Sequence, residues 1–165
     1  MIKKKTLTEY IIYTAVIALG VGLDQLTKFL SVVFLKPITT QPIIKNVIHL
    51  TYVENRGAAF GMFADQRWIF ITVSTVAIIA MLLYLYFGHA ENIFMAVSLA
   101  MIISGGIGNM IDRLALGYVV DFIDFRLINF AVFNGADSFV CVGAGLLILS
   151  LILPEIKRRR TRGEK

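Results

Sequence analysis

The stretch "WIFITVSTVAIIAMLLYLYF", residues 68 to 87, decides the fold, because it holds twenty residues and no charge. A helix rises about 1.5 Å per residue, so roughly 20 apolar residues cross a hydrocarbon layer about 30 Å thick. The next run, from Ile93 to Ile111, is also uncharged. These two runs predict two membrane-spanning helices joined by the short loop "GHAEN".

The composition of the whole chain agrees with that interpretation. Of its 165 residues, 58% are hydrophobic and 16% are charged, whereas a soluble domain carries roughly a quarter charged residues. Apolar runs predict transmembrane helices at residues 10–35, 68–87, 93–112 and 137–154. A cleavable signal peptide in the first run is disfavoured, because no A-x-A-like site follows it. We therefore predict an all-α integral membrane protein, with residues 1–165 as one membrane-embedded domain.

The positions of Lys and Arg predict the orientation. With four spans both termini lie on one side, which carries nine basic residues against six on the opposite side. This bias predicts cytoplasmic termini and a basic cytoplasmic tail, residues 157–165, that is attracted to anionic phospholipid. A nucleic-acid partner is not predicted, because the basic run has no interleaved aromatic residues.

The two segments on the opposite side predict a small β-sheet. "VIHLTYV", residues 47–53, alternates and is rich in β-branched and aromatic residues, as a strand is. It leads into "ENRGAAFG", which contains turn-forming residues. "GYVVDFIDF", residues 117–125, is also strand-like. We expect these segments to form an extracytoplasmic sheet and loop cradle at the membrane surface.

Three predicted helices carry polar residues to one depth. Asp24 lies about 21 Å along the first helix, and Asn109 and Asp112 lie about 24 to 28 Å along the third. Asp137 opens the fourth helix on that same side. Ionisable groups inside a membrane are candidates for function. The external segments above this level contribute Asn55, Asp121 and Asp124.

Each of these residues also has a purely structural interpretation. Asp137 could be the N-cap of its helix, and Asp24 could form an ion pair with Lys28, four residues later on the same helical face. Asp121 and Asp124 could be solvated loop acids. These interpretations explain the residues singly, but they do not explain why so many polar groups share one depth.

Two neighbouring carboxyl groups offer a specific chemistry. Because two close acids do not both ionise readily, one keeps its proton and polarises a carbonyl while the other takes a proton from water. Asp137 and one of Asp121 or Asp124 are the available pair. The chain has no HExxH zinc motif, no G-x-S-x-G nucleophile motif and no G-x-G-D motif. Two functions compete with a protease: a small proton-coupled transporter, and a non-catalytic assembly factor. A transporter is disfavoured because no internal repeat is visible.

Five sequence blocks, in this order, resemble the bacterial lipoprotein signal peptidases, or signal peptidase II. They are "DQLTK" (24–28), "NRGAAFG" (55–61), "GGIGNMIDR" (105–113), "GYVVDFI" (117–123) and "FNGADS" (133–138). The resemblance implies a four-helix membrane aspartic endopeptidase without metal or cofactor. It would cut diacylglyceryl-modified prolipoproteins just before the lipidated cysteine, at the outer face of the bacterial cytoplasmic membrane. It further implies a multi-pass protein whose partners are prolipoprotein substrates and membrane phospholipids, and we expect a monomer. The non-catalytic alternative would bind the same lipidated substrates without cutting them.

The same resemblance assigns roles to individual residues. It makes Asp121 and Asp137 the catalytic pair, a choice that the residues alone left open between Asp121 and Asp124. The chain departs from the family at Gly135, where a bulky aliphatic residue is usual, and we expect this glycine to loosen the approach to Asp137. The remaining motif positions imply substrate-binding or supporting roles for Asp24, Lys28, Asn55, Gly57, Asn109, Asp112, Arg113, Asn134 and Ala136.

Overall fold

Four long helices and a three-stranded sheet make up the computed structural model, which describes residues 5–57, 66–87, 90 and 92–163. Each helix is long and apolar enough to cross a membrane, which confirms the predicted set of four. In chain order the helices and strands are α1 (Leu7–Leu30, continued by a π-helical turn, Ser31–Leu35), β1 (Thr40–Ile44), β2 (Ile48–Asn55), α2 (Arg67–Tyr86), α3 (Ile93–Ala115), β3 (Val119–Asp124), a 3-10 turn (Arg126–Ile128) and α4 (Gly135–Arg162).

Local sequence explains where these helices differ from the predicted bounds. α1 begins at Leu7 because Thr6 and Glu9 form a capping box: the Glu9 amide donates to Thr6 Oγ1 at 3.3 Å, and the Thr6 amide donates to Glu9 Oε2 at 2.7 Å. The fourth apolar span ends at Pro154, where the sequence placed its end, and the helix α4 itself continues through Pro154 to Arg162. Most of the basic tail is therefore helical.

α3 is the central helix and contacts α1, α2 and α4. Half of the residues in its apolar span are buried, against 11% of those in the span of α2. The exposed apolar side chains of α2 suit a lipid environment. Close packing of α3 on α4 depends on glycine, because a Cβ on Gly105 would lie 2.3 Å from the Ala136 carbonyl oxygen. Farther from the sheet, the core is formed by Tyr13, Ile78, Leu85, Met95, Ala96, Leu99, Ala100 and Ile103.

The strands form an antiparallel sheet in the order β1-β2-β3. The predicted strands at 47–53 and 117–125 correspond to β2 and β3. Between Leu50 and Val53 the β2–β3 register shifts, so that Val53 pairs with Asp121 and Asn55 pairs with Val119. This irregularity re-aims β2 so that Asn55 stands next to Asp121. Residues 58–61 of the "ENRGAAFG" stretch lie outside the described residues.

Candidate active site

The two candidate catalytic acids come from different parts of the fold and meet at the sheet end of the helix bundle. Asp121 lies on β3 with 1% of its surface exposed. Asp137 lies in the first turn of α4 and is partly buried. Both line the same cavity, whose volume is about 630 Å³.

Asn134 connects the two acids directly. Its side-chain Nδ2 donates to Asp121 Oδ1 at 2.6 Å, and its backbone amide donates to Asp137 Oδ2 at 3.2 Å. The Asp137 amide donates back to Asn134 Oδ1 at 2.9 Å. Asn134 thus has the capping role, with Asp137 three residues later in a reciprocal arrangement. The interpretation of Asp137 as the N-cap is therefore wrong.

Each carboxylate accepts hydrogen bonds at both of its oxygens. Asp121 Oδ2 accepts from Asn55 Nδ2 at 2.9 Å, in addition to the bond from Asn134. Asp137 Oδ1 accepts from Asn109 Nδ2 at 2.7 Å. Burial, together with the charge of Asp137, raises the pKa of Asp121 to about 7, against the lowering effects of Asn55, Asn134 and Lys28. Asp121 is therefore suited to holding a proton near neutral pH.

Asp124 lies on the other face of β3 and contacts residues outside this pair. Its position on β3 is three residues from Asp121, which places the two side chains on opposite faces of the strand. Asp124 Oδ2 accepts from Thr51 Oγ1 at 2.7 Å and pairs with Arg126 Nε at 2.9 Å. Burial acts to raise the pKa of Asp124, but these bonds outweigh it and the pKa is lowered. Asp124 is thus a structural ion-pair residue of the sheet.

A buried ionic cluster lies behind the candidate acids. Lys28 Nζ is 2.9 Å from Asp24 Oδ2, which confirms the predicted pair, and 3.0 Å from Asp112 Oδ2. All three residues are at most 3% exposed. The ammonium also donates to Asn109 Oδ1 at 2.8 Å. The cluster therefore contacts Asn109, whose side-chain amide donates to Asp137.

Gln25 belongs to this cluster, although sequence reasoning missed it. Its Nε2 donates to Asp112 Oδ1 at 3.0 Å and to the Gly108 carbonyl oxygen at 3.2 Å. Its place in the "DQLTK" block was the only signal. Adjacent residues point about 100° apart on a helix, so only the packing of α1 against α3 shows that Gln25 shares the site.

The remaining predicted site residues also lie here. Arg113 donates to the Gly57 carbonyl oxygen at 3.2 Å and lies over the Phe70 ring, 4.9 Å from its centroid. The Ala136 amide donates to Asp24 Oδ1 at 2.8 Å. A Cβ at Gly135 would lie 3.5 Å from Asp24 Oδ1 and so would point towards α1. The structure therefore brings all eleven predicted site residues to one region.

Polar and apolar side chains both line the cavity. Asn55, Asn109 and Arg113 stand with the two acids, whereas Phe70, Phe130, Phe133 and Val142 form apolar lining. Within residues 5–57, 66–87, 90 and 92–163, no group of three or more His, Cys, Asp or Glu side chains could hold a metal ion. The arrangement can bind an apolar chain and present two carboxyl groups to a polar bond within it.

Comparisons with known proteins show which family the chain resembles. The profile of the family described as "Signal peptidase (SPase) II" matches residues 16–153. The "Lipoprotein signal peptidase" of Clostridioides difficile is 48% identical over 148 residues, which cover 90% of this chain and 99% of that protein. The protein of the same name from Caldanaerobacter subterraneus is 52% identical over 132 residues, covering 80% and 90%.

A solved structure extends the likeness to three dimensions. It is titled "Bacterial membrane enzyme structure by the in meso method at 2.3 A resolution". It superposes with a TM-score of 0.81 at 30% identity, covering 92% of each chain. Four apolar helices, the matching profile and close relatives lead to one conclusion: the chain is a multi-pass bacterial membrane protein and belongs to the signal peptidase II family of lipoprotein signal peptidases.

Proposed function

We propose that this chain is an aspartic endopeptidase that cuts diacylglyceryl-modified prolipoproteins just before the lipidated cysteine. Membership of the family supplies the process, which is removal of signal peptides from lipoproteins. The observation that carries the aspartic mechanism is the junction at Asn134, which donates to both Asp121 and Asp137 at the edge of one cavity.

The proposed reaction uses one proton shared by the pair. Asp121 holds the proton and donates it to the scissile carbonyl oxygen, while the Asp137 carboxylate takes a proton from the attacking water. The water oxygen forms a bond to the carbonyl carbon and gives a tetrahedral diol. Collapse of the diol breaks the C–N bond, the leaving amine takes the proton from Asp137, and Asp121 recovers its own. The two groups titrate as a coupled pair.

The cavity supports a lipid-anchored substrate. Phe70 and Val142 lie on two different helices, and Phe133 lies on the segment before α4, so apolar surface surrounds the acids on several sides. A substrate that is already confined to the membrane reaches this cavity with little loss of translational freedom, which favours reaction. We infer that both termini are cytoplasmic, that the site and sheet lie at the outer face, and that one chain suffices, since one chain supplies every site residue.

The test is cleavage of a diacylglyceryl-modified prolipoprotein by the protein in lipid nanodiscs, beside the same prolipoprotein without its lipid. We expect the modified substrate to be cut just before its cysteine. The unmodified substrate should be cut at least about 100-fold more slowly, because binding energy from the lipid contributes to the chemical step. Mass spectrometry of both products locates the bond. Cleavage at another bond, or equal rates for the two substrates, would contradict the proposal.

The raised pKa of Asp121 predicts how activity and stability depend on pH. Above about pH 7 the pair loses its shared proton, so kcat/KM should fall by up to about tenfold per pH unit. Between the ordinary value of 3.8 and about 7, folded Asp121 keeps a proton that the unfolded chain has released. Its contribution to stability therefore decreases as the pH rises through that window. Wild type should lose thermal stability relative to Asp121→Asn between pH 4 and 7, and a constant difference would contradict this.

A further inference from the structure

We infer that the buried cluster of Asp24, Lys28 and Asp112 sets the separation of the two catalytic carboxyl groups. Each acid of the cluster holds the backbone amide that immediately precedes one catalytic residue. Asp24 Oδ1 accepts from the Ala136 amide at 2.8 Å, next to Asp137. Asp112 Oδ2 accepts from the Val120 amide at 3.0 Å, next to Asp121. The inference rests on the proposed aspartic mechanism.

Lys28 connects these two attachments. Its ammonium lies 2.9 Å from the carboxylate of Asp24 on α1 and 3.0 Å from that of Asp112 on α3. One end of this linkage holds the start of α4, and the other holds β3. Three almost fully buried side chains thereby connect the backbone next to Asp137 with the backbone next to Asp121.

Lys28 and Asn134 together set which way the Asn109 amide faces, because Asn134 Nδ2 also donates to Asn109 Oδ1, at 3.1 Å. An ammonium can only donate, so the Asn109 atom that lies 2.8 Å from Lys28 Nζ must be the oxygen Oδ1. The amide nitrogen then faces Asp137 Oδ1 at 2.7 Å and donates to it. If Lys28 were replaced by an apolar residue, the Asn109 amide would lose the shorter of the two hydrogen bonds that hold its oxygen away from Asp137.

General helix packing is a weak explanation for such a cluster. Apolar residues of similar size would hold two helices at least as well, because desolvation of buried charges often costs more than their attraction returns. The cluster also lies very close to the backbone of α3, since a Cβ on Gly108 would be 2.4 Å from Asp24 Oδ2. The described cavity lining is formed by other residues. The three are therefore positioning residues.

The experiment compares Asp24→Ala, Asp112→Ala and Lys28→Met with wild type, using the lipid-modified substrate and amide hydrogen exchange of the full-length protein. We expect each variant to lower kcat about 10- to 100-fold with little change in KM, because misplacement by about 1 Å has effects of that size. Exchange should quicken over 119–124 in Asp112→Ala, over 134–138 in Asp24→Ala, and over both in Lys28→Met.

Two further variants separate positioning from folding. Asp112→Asn keeps an oxygen that can accept from the Val120 amide, so it should recover part of the kcat lost in Asp112→Ala. Asp112→Asn can also be compared with wild type if Asp112→Ala does not fold. Leu99→Ala, in the core away from the sheet, should lower the unfolding temperature and leave kcat near that of wild type.

The outcomes distinguish this inference from the proposed function. If Asp121→Asn is inert while all three cluster variants keep wild-type kcat, the cluster is only a scaffold and the inference fails. If Asp121→Asn remains active, the proposed mechanism fails, and the exchange data alone decide whether the cluster holds the two segments. Faster exchange spread evenly over all four helices would overturn the inference in either case.

Discussion

Asp121→Asn and Asp137→Asn are each expected to lower kcat for the lipid-modified prolipoprotein by about 10³-fold or more. An amide cannot donate an acidic proton to the carbonyl oxygen as Asp121 does, and it cannot take a proton from water as Asp137 does. Asparagine matches aspartate in size, so the cavity should keep its shape. Single-turnover cleavage in nanodiscs measures the loss, and circular dichroism of the same samples shows whether the helices are retained.

Asp124→Asn is the matched control for these variants. Asp124 lies on the same strand as Asp121 and is also buried, at 8% exposure, but its carboxylate pairs with Arg126. Its substitution should keep kcat within about threefold of wild type and lower stability by about 1 to 3 kcal/mol, through loss of a charge-assisted hydrogen bond. If Asp124→Asn were as inactive as Asp121→Asn, the assignment of the pair to Asp121 and Asp137 would be wrong.

Sequence predicted the membrane helices well, because their signal is local. The uncharged run from residue 68 needs no tertiary information to be identified as a span. The ends of the helices were harder. The start of α1 depends on the Thr6–Glu9 capping box, which lies outside the apolar run that identifies the span. The passage of α4 through Pro154 depends on neighbouring turns continuing the helix despite one missing backbone donor.

The site was only partly predictable, because its geometry depends on how strands and helices pair. Residue types alone left Asp121 and Asp124 equivalent as partners of Asp137. What distinguishes them is the face of β3 on which each lies, and strand alternation does not say which face meets the bundle. The register shift in β2 that brings Asn55 to Asp121 had no local signal. Gln25 was hidden for a similar reason, since its contacts are all made by packing against α3 or by a neighbouring charge.

Asn134→Ala should have the second-largest effect, because this side chain serves both acids and the helix that carries one of them. The change removes the Nδ2 bonds to Asp121 Oδ1 at 2.6 Å and Asn109 Oδ1 at 3.1 Å, and the cap that accepts from the Asp137 amide at 2.9 Å. We expect kcat to fall about 100-fold, as for loss of a catalytic orienting group. Loss of the cap should lower stability by about 0.5 to 2 kcal/mol. Cleavage rates and thermal unfolding measure the two effects.

Asn134→Ser separates these two roles of the residue. A serine at the cap position can still accept from the Asp137 amide, so the unfolding temperature should return towards that of wild type. Its hydroxyl is too short to replace the bond to Asp121, so kcat should remain low. The hydrogen bond from Asn134 lowers the pKa of Asp121, so its loss should move the alkaline limb of the kcat/KM profile to higher pH. A serine variant that regained both stability and wild-type kcat would show that Asn134 acts through the helix cap alone.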